Sequence, residues 1–257
     1  MKKLKGTGVA IVTPFKNDSS IDFNALKRIT EHVIGGGINY IVVMGTTGEA
    51  STLTKDEKKA VLSYVLEIAD KRVPVIAGIG GNNTQEVVNC IRYADLKDVD
   101  GILSVAPYYS KPGQRGIFQH FKTIATCSPV PVILYNVPGR TCCSISAETC
   151  LELAHECENI VGIKESSGDM TQVIKIIKGK PENFVLLSGD DMLSIPIISL
   201  GGVGVISVLA NALPSQCSEM IGHAIKGNFR AARELQFRLV ALVELCFAAG
   251  SPSGIEA

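Results

Sequence analysis

The chain has 257 residues, 46% of them hydrophobic, and its 25 Lys plus Arg are matched by 25 Asp plus Glu. With no run of one charge sign, it carries no footprint for nucleic acid or a membrane surface, which leaves a small molecule as the expected partner. The basic start Met1-Lys2-Lys3-Leu4-Lys5 is not followed by a signal-peptide core, and no apolar run reaches the ~18 residues of a membrane span, so a cytoplasmic protein is expected.

Along the chain, short β-branched runs alternate with turns and with stretches of helical periodicity. The first strand is read at Gly8–Thr13, followed by a helix at Phe23–Gly35. Then come a strand at Tyr40–Met44 and a helix at Thr54–Ala69, where Thr54 and Glu57 have the spacing of a capping box. Strands at Val73–Gly78 and Gly101–Val105 precede helices at Thr84–Leu96 and Gly116–Cys127. Strands at Val132–Asn136 and Ile160–Glu165 precede helices at Ser146–His155 and Met170–Ile177. The last strands are read at Val185–Ser188 and Gly204–Ser207, followed by helices at Pro214–Lys226 and Asn228–Phe247.

Eight strands in βα alternation, without a second compositional zone, predict an α/β fold of the closed (β/α)8 TIM-barrel type rather than an open doubly wound sheet. The expected organisation is a catalytic barrel over residues 1–226 and a partial C-terminal helical extension over 227–257. The ending after Gly250-Ser251-Pro252 reads as an interrupted helix start, so the extension looks truncated.

The eight cysteines, Cys90, Cys127, Cys142, Cys143, Cys150, Cys157, Cys217 and Cys246, are scattered and form no C-x-x-C pair. They are read as reduced thiols. His32, His120, His155 and His223 lack ligand spacing, and no metal site is expected.

A barrel of this type keeps its active site at the C-terminal ends of the strands. That rule selects Thr13, Thr46, Thr47, Glu49, Pro107, Tyr108, Tyr109, Tyr135, Asn136, Lys164, Glu165, Ser188, Gly189, Asp190 and Ser207. Lys164 stands out because it follows the apolar Ile160-Val161-Gly162-Ile163. Its amine either escapes to solvent at the barrel mouth or is held desolvated, and desolvation leaves an amine able to attack a carbonyl and form an imine. The phenols of Tyr109 and Tyr135 and the hydroxyl of Thr46 have the chemistry of a proton shuttle, although each taken alone fits an ordinary rim residue. Gly45-Thr46-Thr47-Gly48-Glu49 reads as a turn entering a helix, whose backbone N–H groups suit a carboxylate.

These residues resemble the dihydrodipicolinate synthase (4-hydroxy-tetrahydrodipicolinate synthase) family, within the N-acetylneuraminate lyase-like class I aldolases. The resemblance runs through Gly8-Val9-Ala10-Ile11-Val12-Thr13-Pro14-Phe15, Gly45-Thr46-Thr47-Gly48-Glu49, Pro107-Tyr108-Tyr109-Ser110-Lys111-Pro112, Tyr135-Asn136-Val137-Pro138-Gly139-Arg140-Thr141, Gly162-Ile163-Lys164-Glu165 and Ser188-Gly189-Asp190-Asp191.

The resemblance implies that Lys164 forms a Schiff base with pyruvate, and that Tyr135, Thr46 and Tyr109 relay protons, with Tyr109 reaching into a neighbouring subunit's site. It implies that Thr47 binds the pyruvate carboxylate and that the backbones of Gly189 and Ile206 line the pocket. Arg140 would hold the carboxylate of L-aspartate-4-semialdehyde. No metal or redox cofactor is required, and a homotetramer built as a dimer of dimers is the implied assembly. It also implies a candidate allosteric pocket for lysine at Ala50, Ser51, Asn82, Glu86 and Tyr108. Lys55 and Lys58 stand there in place of the imidazoles of lysine-sensitive members, so weak inhibition is expected.

The alternative is a related aldolase that cleaves a sialic acid or a 2-keto-3-deoxy sugar acid through the same Lys164 imine; Arg140 argues against it. A phosphate-binding barrel using Gly201-Gly202-Val203-Gly204 is disfavoured because these glycines precede the eighth strand. A catalytically silent scaffold is disfavoured by the presence of Lys164, Tyr135 and Thr46 together.

Overall fold

The computed structural model describes residues 4–248 and 250–256. Eight parallel strands close on themselves: β1 (Gly6–Ala10), β2 (Tyr40–Val43), β3 (Val75–Gly78), β4 (Gly101–Val105), β5 (Val132–Asn136), β6 (Ile160–Glu165), β7 (Val185–Ser188) and β8 (Gly204–Ser207). β1 pairs with both β2 and β8, so the barrel has no free edge. Around it lie α1 (Phe23–Gly35), α2 (Lys55–Ala69), α3 (Thr84–Tyr93), α4 (Gln114–Cys127), α5 (Pro138–Thr141), α6 (Ala147–Glu156), α7 (Met170–Gly179), α8 (Ser194–Ser199), α9 (Pro214–Ile225), α10 (Phe229–Ala248) and α11 (Ser253–Glu256).

Strand side chains alternate between two apolar shells, as the period of two requires. Tyr40, Val42, Ile76, Leu103, Ile133, Tyr135, Leu187 and Ile206 belong to one cluster inside the barrel. Ile41, Val43, Ile102, Leu134, Ile163 and Val205 belong to the larger cluster packed beneath the helices. Lys164 follows the outward-facing Ile163, so its side chain enters the barrel.

Several helix starts are written in the sequence. Asp22, Asn83, Ser146 and Asp169 accept hydrogen bonds from the first-turn N–H groups of α1, α3, α6 and α7. Thr54 and Glu57 complete the capping box of α2. Such caps contribute about 1 kcal/mol each.

β4 to β8 have the bounds that the β-branched runs predict. β1 is displaced: its ladder ends at Ala10, because the Val12 N–H donates to the Asn211 side-chain oxygen (3.2 Å) and the Thr13 hydroxyl donates to the Gly48 carbonyl (2.8 Å). The helix α8 is absent from the sequence reading; it is only six residues long, contains Pro196 and has no side-chain cap. The turn at Gly45–Glu49 does not enter a helix as expected. The chain stays in turns through Thr52, and α2 begins at Lys55. No helix among the described residues is long and apolar enough to cross a membrane.

Candidate active site

The pairing of β5 with β6 sets Tyr135 opposite Lys164 and Asn136 opposite Glu165. Because side chains alternate, these two pairs face opposite ways. Tyr135 and Lys164 point into the barrel, where they are 6% and 4% exposed. The Lys164 Nζ stands 4.3 Å from the centroid of the Tyr135 ring. A desolvated cation over an aromatic face gains about 2 kcal/mol, which offsets part of the cost of placing an amine here.

The Tyr135 hydroxyl lies 3.4 Å from Thr46 Oγ1. Burial pushes the phenol up, but the nearby Lys164 charge, the Thr46 hydroxyl, the Arg140 charge and Ser166 outweigh it and hold Tyr135 below its usual value. A buried phenol made more acidic is suited to passing a proton.

Asn136 and Glu165 face outward and form a fastening. The Asn136 amide donates to both Glu165 carboxylate oxygens (3.1 Å each), while Ser167 N–H and Gln172 Nε2 donate to the same carboxylate, each at 2.8 Å. The Asn136 side-chain oxygen in turn accepts from Ile145 N–H at 2.9 Å. This buried network ties the α5 loop to the Lys164 strand. Cys143 adds a contact from that loop to the Pro107 carbonyl at 2.8 Å.

The far side of the mouth is held by Asp191, which is buried and accepts from the Ser207 hydroxyl (2.5 Å), Val208 N–H (3.0 Å) and Leu209 N–H (3.2 Å). Burial raises its pKa, and these donors oppose the rise. They secure the end of β8 beside Ile206, which is fully buried. A Cβ at Gly189 would stand 1.9 Å from Ser166 Oγ and 2.7 Å from Lys164 Cε, so a side chain there would have to displace both of these groups.

Of the residues expected from the sequence, Lys164, Tyr135 and Thr46 come together, and Gly189 lies against Lys164. Thr47 is buried in the β2–α2 turn. Tyr109 does not join them within the protomer; it is 89% exposed and has a left-handed φ of 71°. Arg140 is exposed and donates to the Ser251 carbonyl at 3.0 Å. Ala50, Ser51, Asn82 and Tyr108 lie in the loops that follow β2, β3 and β4, and Lys55, Lys58 and Glu86 on the first turns of α2 and α3; all are half-buried or exposed, and no hydrogen bond or ion pair links Lys55, Lys58, Asn82 and Glu86 to one another among the described residues.

Ser166 was not anticipated. The signal for it is its position two residues beyond Lys164, which places both on one face of an extended segment.

The sequence profile of the Dihydrodipicolinate synthetase family matches residues 3–257. A curated relative from Cytophaga hutchinsonii, a 4-hydroxy-tetrahydrodipicolinate synthase, is 50% identical over 256 residues, spanning 100% of this chain and 86% of the relative. The crystal structure of dihydrodipicolinate synthase from Aquifex aeolicus superposes with a TM-score of 0.94 at 44% identity, covering 97% of this chain and 85% of that one. The chloride-inhibited dihydrodipicolinate synthase from Acinetobacter baumannii, crystallised with pyruvate, gives a TM-score of 0.95 at 40% identity, covering 98% and 87%. With a barrel whose strand ends bring Lys164, Tyr135 and Thr46 together, and with this likeness along its length, the chain belongs to the dihydrodipicolinate synthetase family.

Proposed function

We infer that the chain is a Schiff-base-forming lyase that condenses pyruvate with L-aspartate-4-semialdehyde, the reaction of 4-hydroxy-tetrahydrodipicolinate synthases, in lysine and diaminopimelate biosynthesis in the cytoplasm. The observation that carries this reading is a buried lysine amine lying over the ring of a tyrosine whose hydroxyl meets a second hydroxyl.

In this reading the Lys164 amine attacks the keto carbon of pyruvate, and loss of water gives a protonated imine. The imine draws electrons from the adjacent methyl group, which loses a proton to become an enamine. The enamine attacks the aldehyde of the second substrate; that substrate's amino group then closes onto the imine carbon and releases Lys164. Tyr135 and Thr46 move the protons of these steps. Tyr109 completes the relay in the site of a neighbouring protomer, a role that suits an exposed aromatic ring without partners in its own site.

Thr47 binds the pyruvate carboxylate, and the backbones of Gly189 and Ile206 line the pyruvate pocket. Arg140 takes the carboxylate of the semialdehyde, for which a permanently charged planar fork is well matched. The catalytic barrel spans residues 1–226 and the helical extension 227–257, in a homotetramer. Ala50, Ser51, Lys55, Lys58, Asn82, Glu86 and Tyr108 mark a regulatory surface for lysine.

A coupled assay supplying pyruvate and L-aspartate-4-semialdehyde, run beside aldolase assays with N-acetylneuraminate and a 2-keto-3-deoxy sugar acid, tests the assignment. Condensation without aldol cleavage is expected. Cleavage of either acid without condensation overturns the choice of second substrate and favours the related aldolase.

A further inference from the structure

Ser166 lies just past the end of β6, on the same side of the chain as Lys164. Its Oγ is buried and finds no hydrogen-bond partner among the described residues. A buried hydroxyl without a partner is unfavourable, and such groups persist where function uses them. Its surroundings indicate that use. Ser166 Oγ and Lys164 Cε both crowd the point where a Cβ on residue 189 would stand, at 1.9 and 2.7 Å, so the two groups flank one notch beside Gly189. Ser166 also lies close enough to the Tyr135 hydroxyl to help lower its pKa. Thr46, at 3.4 Å from that hydroxyl, is beyond the ordinary range of a strong O–H···O hydrogen bond.

We propose that Ser166 is a positioning residue of the proton relay, whose hydroxyl donates to the Tyr135 oxygen as the phenol gives up its proton. This rests on the Schiff-base reading above. In the dehydration step the carbinolamine C–O bond breaks, the departing oxygen takes the Tyr135 proton and leaves as water, and the nitrogen lone pair forms the protonated imine. The negative charge left on the Tyr135 oxygen is met by the Ser166 and Thr46 hydroxyls, which keep their own protons. The charged groups facing Tyr135 are Lys164 from β6 and Arg140 from α5. The Ser166 hydroxyl is uncharged and makes no other hydrogen bond among the described residues, so it can turn to the phenolate without giving up another bond.

The test is the rate at which borohydride traps the pyruvate imine, measured across pH in the unmodified enzyme and in Ser166→Ala and Ser166→Thr, with the Tm of each. Ser166→Ala is expected to form the imine about tenfold more slowly, with the midpoint of its pH–rate profile raised by about one unit. Its Tm should stay level or rise, because removing an unpaired buried hydroxyl relieves the fold. Ser166→Thr restores rate and midpoint by returning the hydroxyl. An Ala variant with the unmodified rate and profile overturns the proposal, and so does a slow Ala variant whose midpoint is unmoved and whose Tm falls. An unmodified enzyme that forms no imine removes the Schiff-base reading itself and this proposal with it.

Discussion

The Lys164 Nζ stands 4.3 Å from the centre of the Tyr135 ring, across a pair of strands that places the two residues directly opposite each other. Ring and hydroxyl therefore have separable effects. Tyr135→Phe keeps the aromatic face over Lys164 and removes the proton carrier; it should lower kcat by about 10²–10⁴-fold, the usual contribution of a positioned acid–base group, while leaving pyruvate affinity nearly unchanged. Tyr135→Leu removes both and should also weaken pyruvate binding. Steady-state kinetics with titration of each substrate checks this; equal effects of the two substitutions on pyruvate affinity would show that the ring does not matter.

Arg140 donates to the Ser251 carbonyl at 3.0 Å, yet a guanidinium has further N–H groups free to take a carboxylate. Arg140→Ala should raise KM for L-aspartate-4-semialdehyde by about 10–100-fold, as expected for a charge-assisted hydrogen bond, and leave imine formation with pyruvate intact. Equal loss of both would place Arg140 on the first substrate instead.

At the proposed regulatory surface, Lys55 is exposed and Lys58 half-buried on the first turns of α2, while Asn82 and Glu86 are exposed at the start of α3. Two ammonium groups oppose a cationic ligand, although solvent screens much of the repulsion. Free lysine should inhibit condensation weakly, and a Lys55→His, Lys58→His variant should bind it about tenfold more tightly. Strong inhibition of the unmodified enzyme at sub-millimolar lysine would contradict this.

Stability should depend on His120. Its Nδ1 meets Thr84 Oγ1 at 2.8 Å, its Nε2 has no partner among the described residues, and burial pushes its pKa from the usual 6.5 down to about 4. The folded state thus holds the neutral ring while the unfolded chain takes up a proton, so the contribution is complete above pH ~6.5 and is lost as pH falls toward ~4. Denaturant unfolding at pH 7 and pH 4 should differ by an amount of which up to about 3 kcal/mol comes from this residue. His120→Asn, which retains a partner for Thr84, should show a flatter dependence; an unchanged pH dependence would remove His120 as its cause.

The barrel, and the residues gathered at the centre of the candidate site, are legible in the sequence for one reason. Parallel strands buried on both faces appear as unbroken β-branched runs, so a lysine or tyrosine ending such a run declares itself, as Lys164 and Tyr135 do. What escapes the sequence depends on contacts distant along the chain. β1 stops at Ala10 because Asn211 takes over its hydrogen bonding, and Arg140 is engaged by Ser251. Glu165 looks like a second site group at a strand end, but pairing with Asn136 turns it into a fastening. Ser166 is hidden in a polar turn, where a serine carries no signal until the Gly189 notch beside it is seen.

Everything in the proposed reaction depends on Lys164 being the residue that bonds covalently to pyruvate. Incubation with pyruvate and borohydride, followed by peptide mass mapping, tests it directly. One added 1-carboxyethyl group per chain, the reduced imine of pyruvate, is expected on Lys164 and is expected to be absent from Lys164→Ala. A label on another lysine, or none on the unmodified enzyme, would contradict it.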